Sequence, residues 1–330
     1  MVSPPAQQMR SDVGQMLAGT LSAERTLELR KVPVPVPGPG QVRLRIEGCG
    51  VCGSDLSIWE GRPWFRYPRE PGAPGHEAWG MVDAVGEGVA RPQVGTRVAG
   101  LSYRAYAEYD LAEASEVVVL PEELADEPFP GEALGCAINV FRRSGIGPGV
   151  TVAIVGVGFL GALLSQLAAR AGAEVIAVSR RRTARRIAAT MGATRTLALG
   201  PGLAEQVSEV TGGSLCDVVI EAAGTQLTLD AAAPLCRERG RLVIAGFHQD
   251  GLRRVDMQLW NWRGLDVINA HERDPQRYVG GIRLAAAAVA DGRLEPGPLY
   301  THRFPLDRLR DALETMRARP EGFMKALVGT

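Results

Sequence analysis

The sequence predicts an α/β protein in two parts, a mostly-β module followed by a doubly wound parallel sheet. Three observations carry this. Up to about residue 125, apolar and polar residues alternate with period two between glycine and proline punctuation, the pattern of an antiparallel β module. Beyond Pro148-Gly149, apolar β-branched runs alternate with helical patterns, which implies a parallel sheet with helices on its faces. The first of those runs, Val152-Ala153-Ile154-Val155, enters the turn Gly156-Val157-Gly158-Phe159-Leu160-Gly161 and leaves it as an apolar-faced helix. A chain of 330 residues has room for two domains and a well-buried core.

In chain order, residues 1–13 lack the basic start and apolar core of a signal peptide and read as a disordered tail. Residues 26–32 and 41–46 alternate, with the proline-rich stretch 33–39 joining them, and a second β block comprises 78–82, 94–98 and 117–121. In the second part strands are expected at 151–155, 174–179, 217–221, 241–246 and 265–269, with helices at 183–191 and 228–236. The run Ala285 to Ala288 suits a helix interior. The tail reverts to a strand at 300–304, a capped helix at 307–317 and a closing strand at 325–328. A tail of that texture returns to the first part, so the expected domains are 14–138 with 273–330, and 139–272 between them.

Composition excludes several function classes. Lysine plus arginine and aspartate plus glutamate both number 37, so no global field favours nucleic acid or an anionic membrane surface. The apolar runs are too short to span a bilayer, and a cytoplasmic protein is expected. Five cysteines, Cys49, Cys52, Cys136, Cys216 and Cys236, are too scattered for a disulfide framework. A special cysteine here is a metal ligand or a buried apolar residue.

The strand–turn–helix setting makes Gly156, Gly158 and Gly161 a dinucleotide fingerprint, with Phe159 and Leu160 at the start of the helix. Glycines let the backbone approach a pyrophosphate, and the helix N-terminus attracts it. The second strand of such a Rossmann unit ends in an acidic residue where the ribose 2′-hydroxyl is read. This chain has Ser179-Arg180-Arg181-Arg182 there, with Arg185 and Arg186 one turn on. A hydroxyl and guanidinium groups suit a 2′-phosphate, so NADP(H) is the expected cofactor, with Ser179, Arg180 and Arg185 as contacts. Ala223, in Glu221-Ala222-Ala223-Gly224, and Gly246-Phe247 follow later strands and are expected to complete the cofactor site.

Two further islands precede the fingerprint. Cys49-Gly50-Val51-Cys52-Gly53-Ser54-Asp55 and Pro74-Gly75-His76-Glu77 place a thiol, an imidazole and carboxylates on glycine-rich turns, a donor set that suits zinc. Read from chemistry alone, a buried thiol pair at Cys49 and Cys52 is the alternative.

The order of these motifs resembles the zinc-dependent medium-chain dehydrogenases and reductases, the superfamily of alcohol and polyol dehydrogenases, from about Leu17 to Val328. The resemblance implies a GroES-like, mostly-β catalytic domain in front of the Rossmann domain. It also implies one catalytic zinc held by Cys52 and His76, with Glu77 as a ligand or just behind the metal. Glu132 is the expected further ligand, by its resemblance to the glutamate of the polyol branch, with Cys136 as the alternative. Ser54 matches the hydroxyl that passes on the substrate proton, and Asp55 a carboxylate that orients His76.

Two departures matter. No cysteine lies between Glu77 and Glu132, so the lobe that carries a structural zinc in larger members is absent and no second zinc is expected. Ser57 stands where many relatives have a relay histidine.

The implied reaction is hydride transfer between NADP(H) and a small-molecule alcohol or carbonyl, of polyol, sugar-derived or other secondary-alcohol type. The alternatives are a zinc-free quinone or enoyl-type reductase and a non-catalytic NADPH-binding protein. Trp59 and Trp64 are candidate cleft walls, and Trp260 and Trp262 read as packing. The resemblance further implies a homodimer or homotetramer joined near residues 265–269.

Overall fold

A computed structural model describes residues 14–330; the tail expected at 1–13 lies outside the described residues. An antiparallel hairpin, β1 (Gln15–Ala23) and β2 (Thr26–Pro33), is followed by β3 (Gln41–Gly50), α1 (Asp55–Trp59), β4 (Glu77–Val85), β5 (Arg97–Gly100), β6 (Tyr109–Glu113) and β7 (Val117–Val119). Helix α2 (Gly131–Ser144) leads to β8 (Thr151–Val155), α3 (Phe159–Arg170), β9 (Glu174–Val178), α4 (Arg182–Thr190), β10 (Arg195–Leu197) and α5 (Leu203–Val210). Then come β11 (Cys216–Glu221), α6 (Gln226–Ala232), β12 (Cys236–Ile244), α7 (Met257–Arg263) and β13 (Asp266–Asn269). Helix α8 (Pro275–Ala290), β14 (His302–Pro305), α9 (Leu309–Ala318) and β15 (Ala326–Gly329) close the chain.

The second sheet is wholly parallel, in the order β10-β9-β8-β11-β12-β13. Its inner strands are buried on both faces, which is why they read as unbroken apolar runs. Strand order reverses between β8 and β11, and their carboxyl ends open the crevice in which such sheets bind ligands. The edge strand β10 was not expected: Arg195-Thr196-Leu197 is too short and polar to show a period. The helix expected at 228–236 stops at Ala232, because Pro234 turns the next three residues into a 3-10 turn and Cys236 opens β12.

In the first sheet the path is β14-β15-β3-β4-β5-β7, and β6 also pairs with β3. β15 runs antiparallel to β3 with Leu327 opposite Gly50, which lays the last residues of the chain beside the turn that carries Cys52. The two parts share a core in which Phe129, Leu134 and Ile138 meet Leu163, Ile282 and Ala285. Small residues let α2 and α8 cross closely: a Cβ on Gly135 would stand 2.8 Å from the Ile282 nitrogen, and one on Gly281 would stand 2.7 Å from the Gly135 carbonyl oxygen. No described helix is long and apolar enough to cross a membrane.

Candidate active site

A cleft of about 930 Å³ runs between the two parts, from the turn after β3 to the end of β9. Cys52, Ser54, His76, Glu77, Glu132 and Cys136 line one end, and Ser179 and Arg180 the other, with Gly156, Gly158, Phe159 and Leu160 between.

At the first end the ligand atoms of Cys52, His76 and Glu77 all lie within 4.8 Å of one another. Local structure explains the grouping. β3 ends in a turn whose Cys52 N–H donates to Asp55 Oδ2 (3.0 Å), and Tyr106 Oη donates to the same oxygen (2.6 Å). His76 sits directly before β4 because Gly75 permits a close approach; a Cβ there would be 2.5 Å from the Tyr106 nitrogen. His76 Nδ1 is 2.9 Å from the Pro74 carbonyl, which only accepts, so that nitrogen carries a proton and Nε2 is the ring atom left for a metal. Asp55 Oδ1 stands 3.3 Å from the same Nδ1. Burial opposes a charge on His76, yet the Asp55 carboxylate, and after it Cys52, more than reverse this and raise its pKa well above the usual range.

Glu77 is 1 % exposed and meets Lys325, itself 4 % exposed, in a pair the sequence reading missed. Lys325 Nζ donates to Glu77 Oε1 (2.7 Å) and to the Val51 carbonyl (3.0 Å), and lies 5.0 Å from the centroid of the Phe159 ring. One buried cation therefore joins the candidate metal end to the first residue of α3. Gly50 is required beside this pair, since a Cβ would fall 1.9 Å from Glu77 Oε2. Glu132 lines the cleft but stands outside the three-residue cluster, where its Oε1 accepts from Cys136 Sγ (3.2 Å). Burial raises the pKa of Glu132 and, further, that of Cys136.

The thiol, imidazole and carboxylate form a mixed S, N and O set suited to zinc, with a protein carboxylate behind the imidazole as such sites have. The same geometry separates the cysteines. Cys49 is packed in the core and directs its thiol to the Gly50 carbonyl (3.4 Å), so it makes no pair with Cys52. Ser57 is buried and donates to the Ser54 carbonyl (2.8 Å), away from the cleft.

In the middle of the cleft the three glycines do different things. Gly156 has φ +104°, and a Cβ on it would lie 2.7 Å from that of Ala223. A Cβ on Gly161 would meet the Gly156 carbonyl oxygen at 2.1 Å, whereas Gly158 opens on free space at the N-terminus of α3, where no side chain caps the helix. Opposite, Ala223, Gly246 and Phe247 line the wall. They are organised by Glu221, wholly buried, whose Oε1 accepts from the Ala223 N–H (2.9 Å), the Gly224 N–H (2.8 Å) and Thr228 Oγ1 (2.7 Å). Its Oε2 accepts from His248 Nε2 (2.7 Å), and Arg253 Nε donates to His248 Nδ1 (3.0 Å).

At the far end Ser179 and Arg180 line the cleft. Arg185 does not: its guanidinium donates to the Ser179 (2.7 Å) and Arg180 (3.1 Å) carbonyls and holds the end of β9 instead. Trp59 is fully buried and donates from Nε1 to Glu314 Oε1 (2.9 Å), so it packs rather than walls the cleft. Trp64 is exposed outside the cleft, Trp260 packs beside β12, and Trp262, expected to pack, is 83 % exposed.

A β domain that carries a metal-type donor cluster, facing across one cleft the switch point of a doubly wound nucleotide fold, defines the class of two-domain dehydrogenases. Residues 38–122 match the alcohol dehydrogenase GroES-like domain, and residues 160–287 match the zinc-binding dehydrogenase domain. The chain is 28 % identical to sorbitol dehydrogenase of Gallus gallus over 94 % of its own length and 95 % of the relative's. It is 26 % identical to D-arabitol-phosphate dehydrogenase of Enterococcus avium over 83 % and 86 % of the two. A zinc-binding dehydrogenase from Sinorhizobium meliloti 1021, solved bound to NADP, superposes with a TM-score of 0.82 at 29 % identity, covering 96 % of this chain and 100 % of that one. The chain belongs to the zinc-dependent medium-chain dehydrogenase/reductase superfamily.

Proposed function

We propose that the protein transfers a hydride between NADP(H) and an alcohol or carbonyl substrate of the polyol or related secondary-alcohol class, with one zinc held by Cys52, His76 and Glu77. The observation that carries this reading is the three-donor cluster at one end of a cleft whose middle is a phosphate-binding turn and whose other end presents Arg180. The polyol names of the sorbitol and arabitol-phosphate relatives, and the NADP in the structural neighbour, support it.

Bound there, zinc supplies a Lewis acid that lowers the pKa of a substrate hydroxyl, and the nicotinamide supplies or accepts the hydride. The chain's residues do the rest. Asp55 holds the His76 ring with Nε2 toward the cluster. Ser54 lines the cleft two residues from Cys52 and takes the substrate proton. Glu221, through the two N–H groups it binds, fixes the turn opposite the fingerprint, and Gly246 and Phe247 form the wall against the nicotinamide. Glu132 faces the same space, and we assign it to the substrate side of the metal. With Ser57 turned into the protein, it holds no proton for the cleft, and the proton would leave through water. Exposed Trp262, Met257 and Val267, on and beside edge strand β13, are the surface proposed for a homodimer or homotetramer.

Metal analysis of protein purified without added zinc, paired with NADPH and NADH turnover on polyols, amino sugars and aromatic carbonyls, tests the reading. Close to one zinc per chain and chelator-sensitive turnover are expected. Less than about 0.3 zinc per chain with chelator-resistant quinone or enone reduction would favour the zinc-free alternative. Cofactor binding without turnover across the panel would favour a non-catalytic binding protein.

A further inference from the structure

The arginines at the ribose end differ in what they already hold. Arg181 donates from Nη1 to the Phe323 carbonyl (2.5 Å) and from Nη2 to the Val157 carbonyl (3.1 Å), so it ties the fingerprint turn to the C-terminal segment. Arg185 is occupied by carbonyls at the end of β9, and Arg317 donates from Nε to Glu314 Oε2 (2.7 Å). Arg180 and Arg319 remain. Both line the cleft and are exposed to it, and among the described residues neither makes an ion pair or a side-chain hydrogen bond. The neighbouring carboxylate, Glu321, accepts from Thr183 Oγ1 (3.2 Å).

Arg319 comes from the other part of the molecule. It caps α9 in the left-handed conformation (φ 46°), with its N–H donating to the Thr315 carbonyl (2.8 Å) just before Pro320. The walls of the cleft, and after them the Arg180 charge, lower its pKa. Two guanidinium groups that line one cleft, neither paired with a carboxylate among the described residues, repel each other, and a doubly charged oxyanion placed between them would relieve this and accept from both.

We propose that Arg319 and Arg180 form a two-sided clamp for the 2′-phosphate of NADP(H), one jaw from each part of the molecule, with Arg181 as the strut that sets their spacing. The clamp rests on the NADP reading above and deepens it. It makes recognition of the 2′-phosphate depend on the catalytic part as well as the nucleotide-binding part.

Calorimetric binding of 2′,5′-ADP and of 5′-AMP, which differ only by the 2′-phosphate, tests it in the full-length protein at fixed ionic strength. R319Q and R180Q are each expected to weaken 2′,5′-ADP about tenfold and 5′-AMP less than about twofold, with R319K recovering part of the loss. R182Q, an exposed arginine of the same run that does not line the cleft, is expected to change neither. If the unaltered protein prefers 2′,5′-ADP but R319Q weakens both ligands equally, or neither, the clamp is overturned and the NADP reading stands. If the unaltered protein binds both ligands alike, the clamp and the NADP reading fall together.

Discussion

The two ends of the cleft are built on opposite principles. At the metal end the polar groups are buried or half-buried and already engaged within the protein: Asp55 by Tyr106 and the Cys52 N–H, Glu77 by Lys325, and half-buried His76 by the Pro74 carbonyl. At the ribose end the useful groups, Arg180 and Arg319, are exposed and without ion pairs among the described residues. The first arrangement holds donors in one geometry before anything arrives, as bond-making chemistry requires. The second spends little on internal order and leaves charge available to a ligand, as discrimination between cofactors requires. In the proposed reading, positioning is set by burial, and cofactor selectivity by what is left unpaired.

Substitutions that break this contrast most sharply are those in the donor cluster. Cys52→Ser is expected to lose the bound zinc and lower kcat by at least about 10²-fold while leaving 2′,5′-ADP affinity unchanged, read by metal analysis, turnover and calorimetry. Asp55→Asn keeps the shape but removes the charge behind His76. A loss of about 10- to 100-fold in zinc affinity, measured by competition with a chelator, is expected. Retention of full affinity would mean that the Pro74 carbonyl alone orients the ring.

Glu221 belongs to neither end, and it tests whether burial also governs the middle of the cleft. Burial alone would raise its pKa, but the bonds from His248, Thr228 and the backbone of Ala223 and Gly224 more than offset this, so its folded-state pKa is lowered from 4.5. A carboxyl depressed by folding stabilises the protein above the unfolded value and loses that contribution as pH falls through the folded one. Glu221→Gln is therefore expected to cost about 2 kcal/mol at pH 7, with the gap to the unaltered protein closing in acid below that value, in denaturant melts across pH.

A smaller effect is expected at the open end. Ser179→Asp places a carboxylate where a 2′-phosphate would lie, and it should shift the NADPH-to-NADH preference by about tenfold toward NADH without altering zinc content. Least of all, Ser57→Ala removes a bond to the Ser54 carbonyl, worth about 1 kcal/mol of stability, and should leave the pH dependence of turnover in place.

The parts of this design that the sequence discloses are those that depend on local backbone geometry. Gly156 and Gly161 are legible because a turn and a close helix contact demand glycine there, and Gly158 because it leaves room for a pyrophosphate to approach the backbone. Cys52 and His76 are legible as donor types on glycine-rich turns, and the inner parallel strands as apolar runs. Lys325 was read only as part of a closing strand, because its partner Glu77 lies 248 residues away and no periodicity marks a lysine that will be buried. Arg319 was missed for the same reason. The run 180–182 read as one basic cluster, yet the fold makes Arg180 a free charge and Arg181 a strut. Trp59 shows the converse, an aromatic beside the metal turn that the packing of α9 takes out of the cleft.

By itself, then, the sequence determined the two-part architecture and the glycine turn of the dinucleotide fold, since each follows from steric and periodic rules acting over a few residues, while the donor roles of Cys52 and His76 were implied by the family resemblance. Tertiary structure alone decided which charges meet. The antiparallel seating of β15 on β3 brings Lys325 to Glu77, and the end of α9 brings Arg319 to the cleft that Arg180 also lines. Those encounters depend on where distant segments come to rest in space, and side-chain electrostatics acts over ångströms, whatever the distance along the chain.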